Sequence, residues 1–116
     1  MSEAQLVAQV QLDLSSDSVR LLRNNVGVLP DRTGRPVRYG VGNPGGSDLI
    51  GWSSVTVTPE MVGTRIAIIC AIECKHGRNK PTDAQQSFID AVVKAGGRAG
   101  VAYSTDDARR IIAAKL

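Results

Sequence analysis

Apolar residues repeat along the chain with two different periods, and the changes of period separate predicted helices from predicted strands. Apolar side chains recur at helical spacing over residues 3–14, behind a capping box formed by Ser2 and Gln5. A second capping box, Thr82 with Gln85, precedes another helical repeat that ends at two glycines. These patterns predict two helices with well-defined ends.

Short apolar runs between these helices predict strands. Residues 19–22, 48–52 and 98–103 have the length and β-branched content of strands, and residues 28–41 predict a hairpin with an arginine-rich tip. Residues 65–75 form a nearly continuous apolar run, which is typical of a central strand buried on both faces.

Polar and glycine-rich segments mark the remaining boundaries. Residues 42–48 form a loop with three glycines, in which a flexible Gly-Gly-Ser segment is expected to present Asp48 at the start of a strand. Ser104 or Thr105 is expected to cap a last helix, with Lys115 in its final turn.

The length of the chain and the order of its predicted elements indicate one α/β domain spanning residues 1–116. The chain is 42% hydrophobic and 22% charged, values that are typical of a globular protein. No apolar run reaches the length of about 18–20 residues that a membrane span needs, and the first residues lack the pattern of a signal peptide. We therefore expect a cytoplasmic protein that does not interact with membranes.

The two cysteines are predicted to be buried structural thiols. Cys70 and Cys74 stand four residues apart in a predicted strand, so they would lie about 13 Å apart, too far for a disulfide. The chain offers no second pair of ligands that would complete a zinc site.

Positive charge is clustered rather than evenly spread. Five arginines fall in residues 20–38 against one acid, and residues 75–80 carry three Lys or Arg residues and no acid. Such clusters indicate a polyanionic partner such as DNA, the alternative being a solvated basic surface. The candidate phosphate contacts are Arg23, Arg32, Arg35, Arg38, His76, Arg78 and Lys80.

A carboxylate and a lysine close the most apolar predicted strand. Glu73 and Lys75 are two residues apart, so their side chains point to the same face. Together with Asp48 from another strand end, Glu73 could hold one Mg²⁺, and Lys75 could act on a metal-bound water or on a phosphate. The alternative is a simple salt bridge at a strand end, with Asp48 as a turn residue.

These residues and several others resemble the virus-type replication-repair nucleases, the VRR-NUC family of the PD-(D/E)XK nuclease superfamily. The resemblance covers residues 3–112, with Ser47 where the superfamily has proline before its aspartate. The matching segments are GGSD ending at Asp48, ECK at 73–75, TDAQQSF at 82–88, GGRAG at 96–100, RNNVG at 23–27 and VTPEMVG at 57–63.

The resemblance implies a restriction-endonuclease-like α/β fold, with a mixed central sheet flanked by helices. It also implies that Asp48 and Glu73 are metal ligands, that the backbone carbonyl of Cys74 is a further ligand, and that Lys75 is the catalytic lysine.

Two more residues match family positions and keep an alternative interpretation. Gln85 matches a helix glutamine near the active site, and the alternative is its capping role. Glu3 matches an acidic residue that often completes the metal site, and the alternative is a solvated first-turn acid favoured by the helix dipole.

The resemblance implies a Mg²⁺- or Mn²⁺-dependent DNA endonuclease without a small-molecule cofactor. A single domain without partner domains is the arrangement expected of a homodimer, which would present two sites to the two equivalent strands of a Holliday junction. We therefore expect a junction resolvase of viral or phage type that acts on branched DNA in the host cytoplasm. The alternatives are a flap-type or non-specific nuclease, an RNA-cleaving enzyme of the same fold, and a non-catalytic DNA-binding module.

Overall fold

A computed structural model describes residues 2–113, which contain three helices and six strands. The helices are α1 (Glu3–Leu14), α2 (Asp83–Lys94) and α3 (Thr105–Ile112). The strands are β1 (Val19–Arg23), β2 (Gly27–Pro30), β3 (Pro36–Tyr39), β4 (Leu49–Ser53), β5 (Cys70–Cys74) and β6 (Arg98–Ala102). A 3₁₀ turn at Pro59–Met61 lies between β4 and β5.

The helices begin where the capping residues predict. In α1 the backbone N–H of Ser2 donates to Oε1 of Gln5 at 2.8 Å, while Oγ of Ser2 accepts from the backbone N–H of Gln5. The same reciprocal bonds begin α2, and Ser104 caps α3. These bonds satisfy N–H groups that have no partner inside a helix, which confirms both predicted capping boxes. Lys115 lies outside the described residues.

Contacts divide the chain into two compact units, residues 1–53 and 54–116. In the first unit β1 pairs antiparallel with β4, and β2 pairs with β3 in a hairpin. Arg20 and Trp52 are opposite each other in the β1–β4 ladder, with the guanidinium carbon 5.6 Å from the ring centroid. This cation–π contact adds a cross-strand interaction to the ladder.

The second unit is a β–α–β arrangement followed by a helix. β5 and β6 are parallel, and α2 connects them, since a parallel pair needs a long crossover. Both α2 and α3 contact the two strands. The buried apolar side chains of this unit are Ile89, Val92 and Ala102, so its core lies between α2 and the strand pair.

Three predictions about β5 are wrong: its extent, its burial on both faces and the burial of its two cysteines. The strand is limited to Cys70–Cys74 rather than the whole of residues 65–75, and its central residues are half-buried rather than buried on both faces. Cys70 and Cys74 are free but exposed, because they occupy the first and last positions of the strand, where less of the chain covers them.

The helices and strands agree with the predicted α/β class. The described residues form two antiparallel pairs and one parallel pair, the two kinds of pairing that a mixed sheet combines. A single central sheet, and one domain over residues 1–116, stay predictions. Within residues 2–113 no helix has both the length and the apolar character that a membrane crossing requires.

Candidate active site

The carboxylate and the lysine at the end of β5 form an ion pair. Nζ of Lys75 lies 3.4 Å from Oε1 of Glu73, and the two side chains are 18% and 31% exposed. The ion pair expected of a strand end is therefore present. Both groups remain accessible, so a ligand could reach the carboxylate and the ammonium together.

Backbone geometry at this strand end leaves the Cys74 carbonyl outside the β5–β6 ladder. The N–H of Lys75 donates to the carbonyl of Ala102 at 3.0 Å, so it points toward β6. In a trans peptide the carbonyl points opposite to the following N–H. The carbonyl of Cys74 therefore points away from β6, as a backbone metal ligand would require.

Glu73 and Gln85 line the same cleft of the second unit. The cleft has a volume of about 400 Å³, and its other walls are the apolar residues Ala71, Ile72, Ala84, Phe88 and Ile89. A charged group interacts more strongly with its neighbours beside apolar walls than in open water. The structure thus brings together two of the predicted site residues in a setting suited to charge-dependent chemistry.

The side chain of Gln85 has the capping role that its spacing predicts. Its Oε1 accepts from the backbone N–H of Thr82 at 2.9 Å, while its own backbone N–H donates to the Thr82 hydroxyl. The cap uses only the oxygen of the amide. The cap does not use the Nε2 group of Gln85. A catalytic role for Gln85 stays a prediction.

The loop after β5 carries the second basic cluster. His76, Arg78 and Lys80 are all exposed there. The turn is closed by the N–H of Asn79, which donates to the carbonyl of His76, and the hydroxyl of Tyr103 donates to the carbonyl of Asn79 at 2.7 Å. Tyr103 thus holds the basic loop to the end of β6, a contact that the sequence pattern did not indicate.

Asp48 lies in the first unit, exposed, directly before β4. Its carbonyl accepts from the backbone N–H of Asn24 at 2.8 Å. Residues 40–48 form a loop that Asn24 and Asn43 tie to other parts of the unit by hydrogen bonds. The flexibility of its Gly-Gly-Ser segment stays a prediction.

Asn24, which directly follows β1, is buried with 8% exposure and binds this loop. Its Nδ2 donates to the carbonyls of Val41 and Ser47, both at 2.9 Å, and its Oδ1 accepts from the N–H of Val41 at 2.9 Å. Its partners are 17 and 23 residues away, and no local spacing indicates them.

Asn43 holds the other side of the same loop. Its Nδ2 donates to the carbonyls of Gly27 and Tyr39, both at 2.7 Å, and its Oδ1 accepts from Arg38 at 3.1 Å. Arg38 is therefore linked to the loop that carries Asp48.

The other arginines of the first basic cluster differ in whether residues of the protein bind their side chains. Nε of Arg23 donates to Oδ1 of Asn25 at 3.3 Å. Arg32 and Arg35 are exposed at the hairpin tip, and within residues 2–113 their side chains have no hydrogen-bond or ion-pair partner. Among Arg23, Arg32, Arg35 and Arg38, these two guanidinium groups are the ones most available to an external anion.

Asp31 organises this tip. One of its carboxylate oxygens accepts from the hydroxyl and the backbone N–H of Thr33 and from the backbone N–H of Arg35. These bonds favour the charged form, so they lower the pKa of Asp31, with the Thr33 hydroxyl as the largest cause. The only acid among the tip arginines is therefore committed to the turn.

Glu3 is exposed in the first turn of α1, where either of its predicted roles would place it. Within each unit, the described residues contain no group of three or more His, Cys, Asp or Glu side chains that could hold a metal ion by themselves. Joint ligation of a metal by Asp48 and Glu73 stays a prediction.

Comparison with known proteins supports the resemblance found in the sequence. The family model of the VRR-NUC domain matches residues 18–106, which is more than half of the chain. The match includes Asp48, Glu73, Lys75 and Gln85 and leaves out Glu3. No curated protein and no solved structure matches the chain significantly.

Proposed function

The chain belongs to the VRR-NUC domain family, and from this premise we propose that it is a metal-dependent DNA endonuclease that resolves Holliday junctions as a homodimer. Membership of the family indicates a nuclease, which hydrolyses phosphodiester bonds. The observation that carries the finer proposal is the accessible pair of Glu73 and Lys75 at the end of β5.

The donor set of this chain fits Mg²⁺ or Mn²⁺. Asp48 and Glu73 would supply carboxylate oxygens, Cys74 would supply a carbonyl that points away from its ladder, and Glu3 would add a further carboxylate. Hard divalent cations prefer such oxygen ligands. When bound, the metal would polarise the scissile phosphate and lower the pKa of a water molecule.

Lys75 would act beside the metal. Its ammonium lies 3.4 Å from the Glu73 carboxylate. A phosphate bridged to that carboxylate by a metal ion would therefore also lie near the lysine. There Lys75 would orient the attacking water or stabilise the charge that develops on the phosphate. Gln85, which lines the same cleft, would orient groups at the site through its amino end.

The basic clusters would bind the DNA backbone. Arg32 and Arg35 extend from the hairpin tip, with Arg23 and Arg38 closer to the Asp48 loop, while His76, Arg78 and Lys80 flank the Glu73 strand end. Contacts to phosphate position a protein on DNA without reading sequence. This distribution favours recognition of DNA shape, as junction cleavage requires.

The test is a cleavage assay on linear duplex, 5′-flap and four-way junction DNA, each with EDTA, Mg²⁺ or Mn²⁺. We expect paired nicks on the junction only with metal, and a strong loss in Lys75→Ala but not in Lys94→Ala, a control in the last turn of α2. Light scattering should give the mass of a dimer.

Other outcomes would revise the proposal in different ways. Cleavage of flaps or plain duplex would keep the nuclease and exclude the resolvase. Junction binding without cleavage in any metal would indicate a non-catalytic DNA-binding module. Equal cleavage by the wild-type and Lys75→Ala chains would exclude the mechanism.

A further inference from the structure

One buried side chain spans the whole loop that carries Asp48. The Nδ2 group of Asn24 binds the carbonyl of Val41 at the start of the loop and that of Ser47 at its end. Oδ1 of Asn24 binds the N–H of Val41, and the backbone N–H of Asn24 binds the carbonyl of Asp48. A single residue thus contacts both ends of the loop and the backbone of the candidate ligand.

The chemistry of these contacts is specific to asparagine. The side-chain amide has two N–H donors and a carbonyl acceptor, and all three functions are used here. An aspartate would direct a carboxylate at two carbonyl oxygens, and an alanine would remove the partner of three backbone groups. Glutamine has the same functional groups on a longer stem, which the 8% exposure of the site leaves little room to accommodate.

The backbone of the loop has little freedom to compensate. A Cβ placed on Gly46 would lie 1.9 Å from the carbonyl oxygen of Val41, the same oxygen that Asn24 binds. Asn43 ties the loop to the carbonyls of Gly27 and Tyr39. Because Asn24 binds both Val41 and Ser47, loss of its side chain would release both ends of the loop, and Asp48 follows Ser47 directly.

We propose that Asn24 is the positioning residue for Asp48. By holding the loop, Asn24 fixes the direction in which the Asp48 carboxylate meets the divalent cation. The inference rests on the proposed function, because it assigns Asp48 as a ligand. Asn24 itself touches neither metal nor DNA, since its side chain is buried and fully hydrogen-bonded.

The test compares Asn24→Ala with its neighbour Asn25→Ala in the absence of DNA. Asn25 is exposed, and among the residues that the structure describes its side chain accepts a hydrogen bond from Arg23 alone. We expect titration calorimetry with Mn²⁺ to show a 10- to 100-fold weaker affinity for Asn24→Ala, the cost typical of losing a group that orients a metal ligand. Asn25→Ala should bind Mn²⁺ as the wild-type chain does.

A second readout separates positioning from simple destabilisation. In the cleavage assay, Asn24→Ala should need about 10- to 100-fold more Mg²⁺ for half-maximal rate and should largely recover at saturating Mg²⁺. A purely structural role would lower the melting temperature and the amount of active protein without moving the Mg²⁺ requirement, and that result would overturn the inference.

Asp48→Asn distinguishes failure of the inference from failure of the proposed function. If the wild-type chain does not bind Mn²⁺, or if Asp48→Asn binds it as tightly as the wild-type chain, the proposed metal site fails and the inference fails with it. If Asp48→Asn loses Mn²⁺ while Asn24→Ala binds normally, only the inference fails.

A measurement on the wild-type chain covers the case in which Asn24→Ala does not fold. During an NMR titration with Mg²⁺, the Nδ2 proton resonances of Asn24 should shift with the same midpoint as the backbone amide of Asp48. Resonances that stay unchanged while the Asp48 amide shifts would overturn the inference.

Discussion

The two regions that carry the candidate ligands are held in place by different means. Glu73 and Lys75 lie at the end of a strand whose backbone is paired with β6, so their position depends on main-chain hydrogen bonds. Asp48 follows an irregular loop whose position depends on the side chains of Asn24 and Asn43. The first region is fixed by a ladder and the second by individual amides.

This difference determines how each region should respond to substitution. A ladder keeps its geometry when a side chain is replaced, so changes at the end of β5 should alter chemistry and leave the fold intact. A loop held by side chains loses its geometry when one of them is removed. Residues far along the chain from Asp48 should therefore affect it as strongly as its immediate neighbours do.

The largest expected effect is on the cleavage rate, from a substitution at the end of β5 that leaves the fold intact. Lys75→Ala should lower the cleavage rate about 10²- to 10⁴-fold, the usual contribution of a positioned group that transfers protons or stabilises charge. Its unfolding free energy should change by only about 1 kcal/mol, because the partly exposed ion pair is weak and the ladder persists. Chemical denaturation alongside the cleavage assay checks both, and a large loss of stability would show that the lysine holds the strand end.

The next effect concerns the Asp48 loop. Gly46→Ala should destabilise the protein by about 2–3 kcal/mol, because the new methyl group meets the backbone carbonyl of Val41, which Asn24 holds in place. It should also weaken Mn²⁺ binding, as measured by calorimetry.

Gly97→Ala is the matched substitution in the second unit. There the methyl group meets methyl carbons of Ile69 and Val92 at 2.7 Å and the carbonyl oxygen of Ile69 at 3.1 Å, contacts that are less close than the 1.9 Å at Gly46. Its cost should be smaller, about 1–2 kcal/mol, with Mn²⁺ binding retained. Equal effects of the two substitutions on Mn²⁺ binding would remove the distinction between the regions.

A smaller effect is expected at the hairpin tip. Arg32→Gln and Arg35→Gln should each weaken junction binding about three- to tenfold and reduce the salt slope by about 0.9, the value for one lost phosphate contact. Folding stability should not change, since neither side chain has a partner in the described residues. Fluorescence anisotropy at several salt concentrations measures this.

Arg109→Gln is the control for these arginines, since Arg109 pairs with Asp106 on α3 and belongs to neither basic cluster. If the tip variants leave the salt dependence of junction binding unchanged, or if Arg109→Gln reduces it equally, the hairpin does not contact DNA.

The smallest effect is on acid stability. Asp31 in the first unit and Asp107 in the second both have a lowered pKa, Asp31 mainly through the Thr33 hydroxyl and Asp107 mainly through the backbone N–H of Tyr103, with Arg110 next. Because the folded pKa lies below the unfolded one, each carboxylate stabilises the fold above the ordinary value of 3.8. That contribution is lost as the pH falls through the lowered value.

An NMR titration of the side-chain carboxyl carbons should place both midpoints below that of a model aspartate peptide. Thr33→Val should raise the midpoint of Asp31 and leave that of Asp107 unchanged. A midpoint for Asp31 that does not respond to Thr33→Val would exclude the hydroxyl as its main cause.

Local patterns predicted the helices well and the strands less completely. α1 spans the predicted residues because its cap joins residues only three apart. The arginine hairpin and the strand end at Glu73 also follow from spacing. The apolar run over residues 65–75 misled, because apolar content indicates burial but does not reveal which layers cover a strand, and Cys70 and Cys74 are in fact exposed.

The sequence by itself determined the helix starts and the strand-end pair of Glu73 and Lys75, since each depends on residues close together in the chain. It also determined the resemblance to the VRR-NUC family, which depends on the order of short motifs along the chain and not on the contacts between them. Only the tertiary structure decided that Asn24 anchors the Asp48 loop and that Tyr103 holds the basic loop. These bonds join residues 17 to 24 positions apart. Because the path of the intervening chain decides which groups meet, no local spacing could have indicated them.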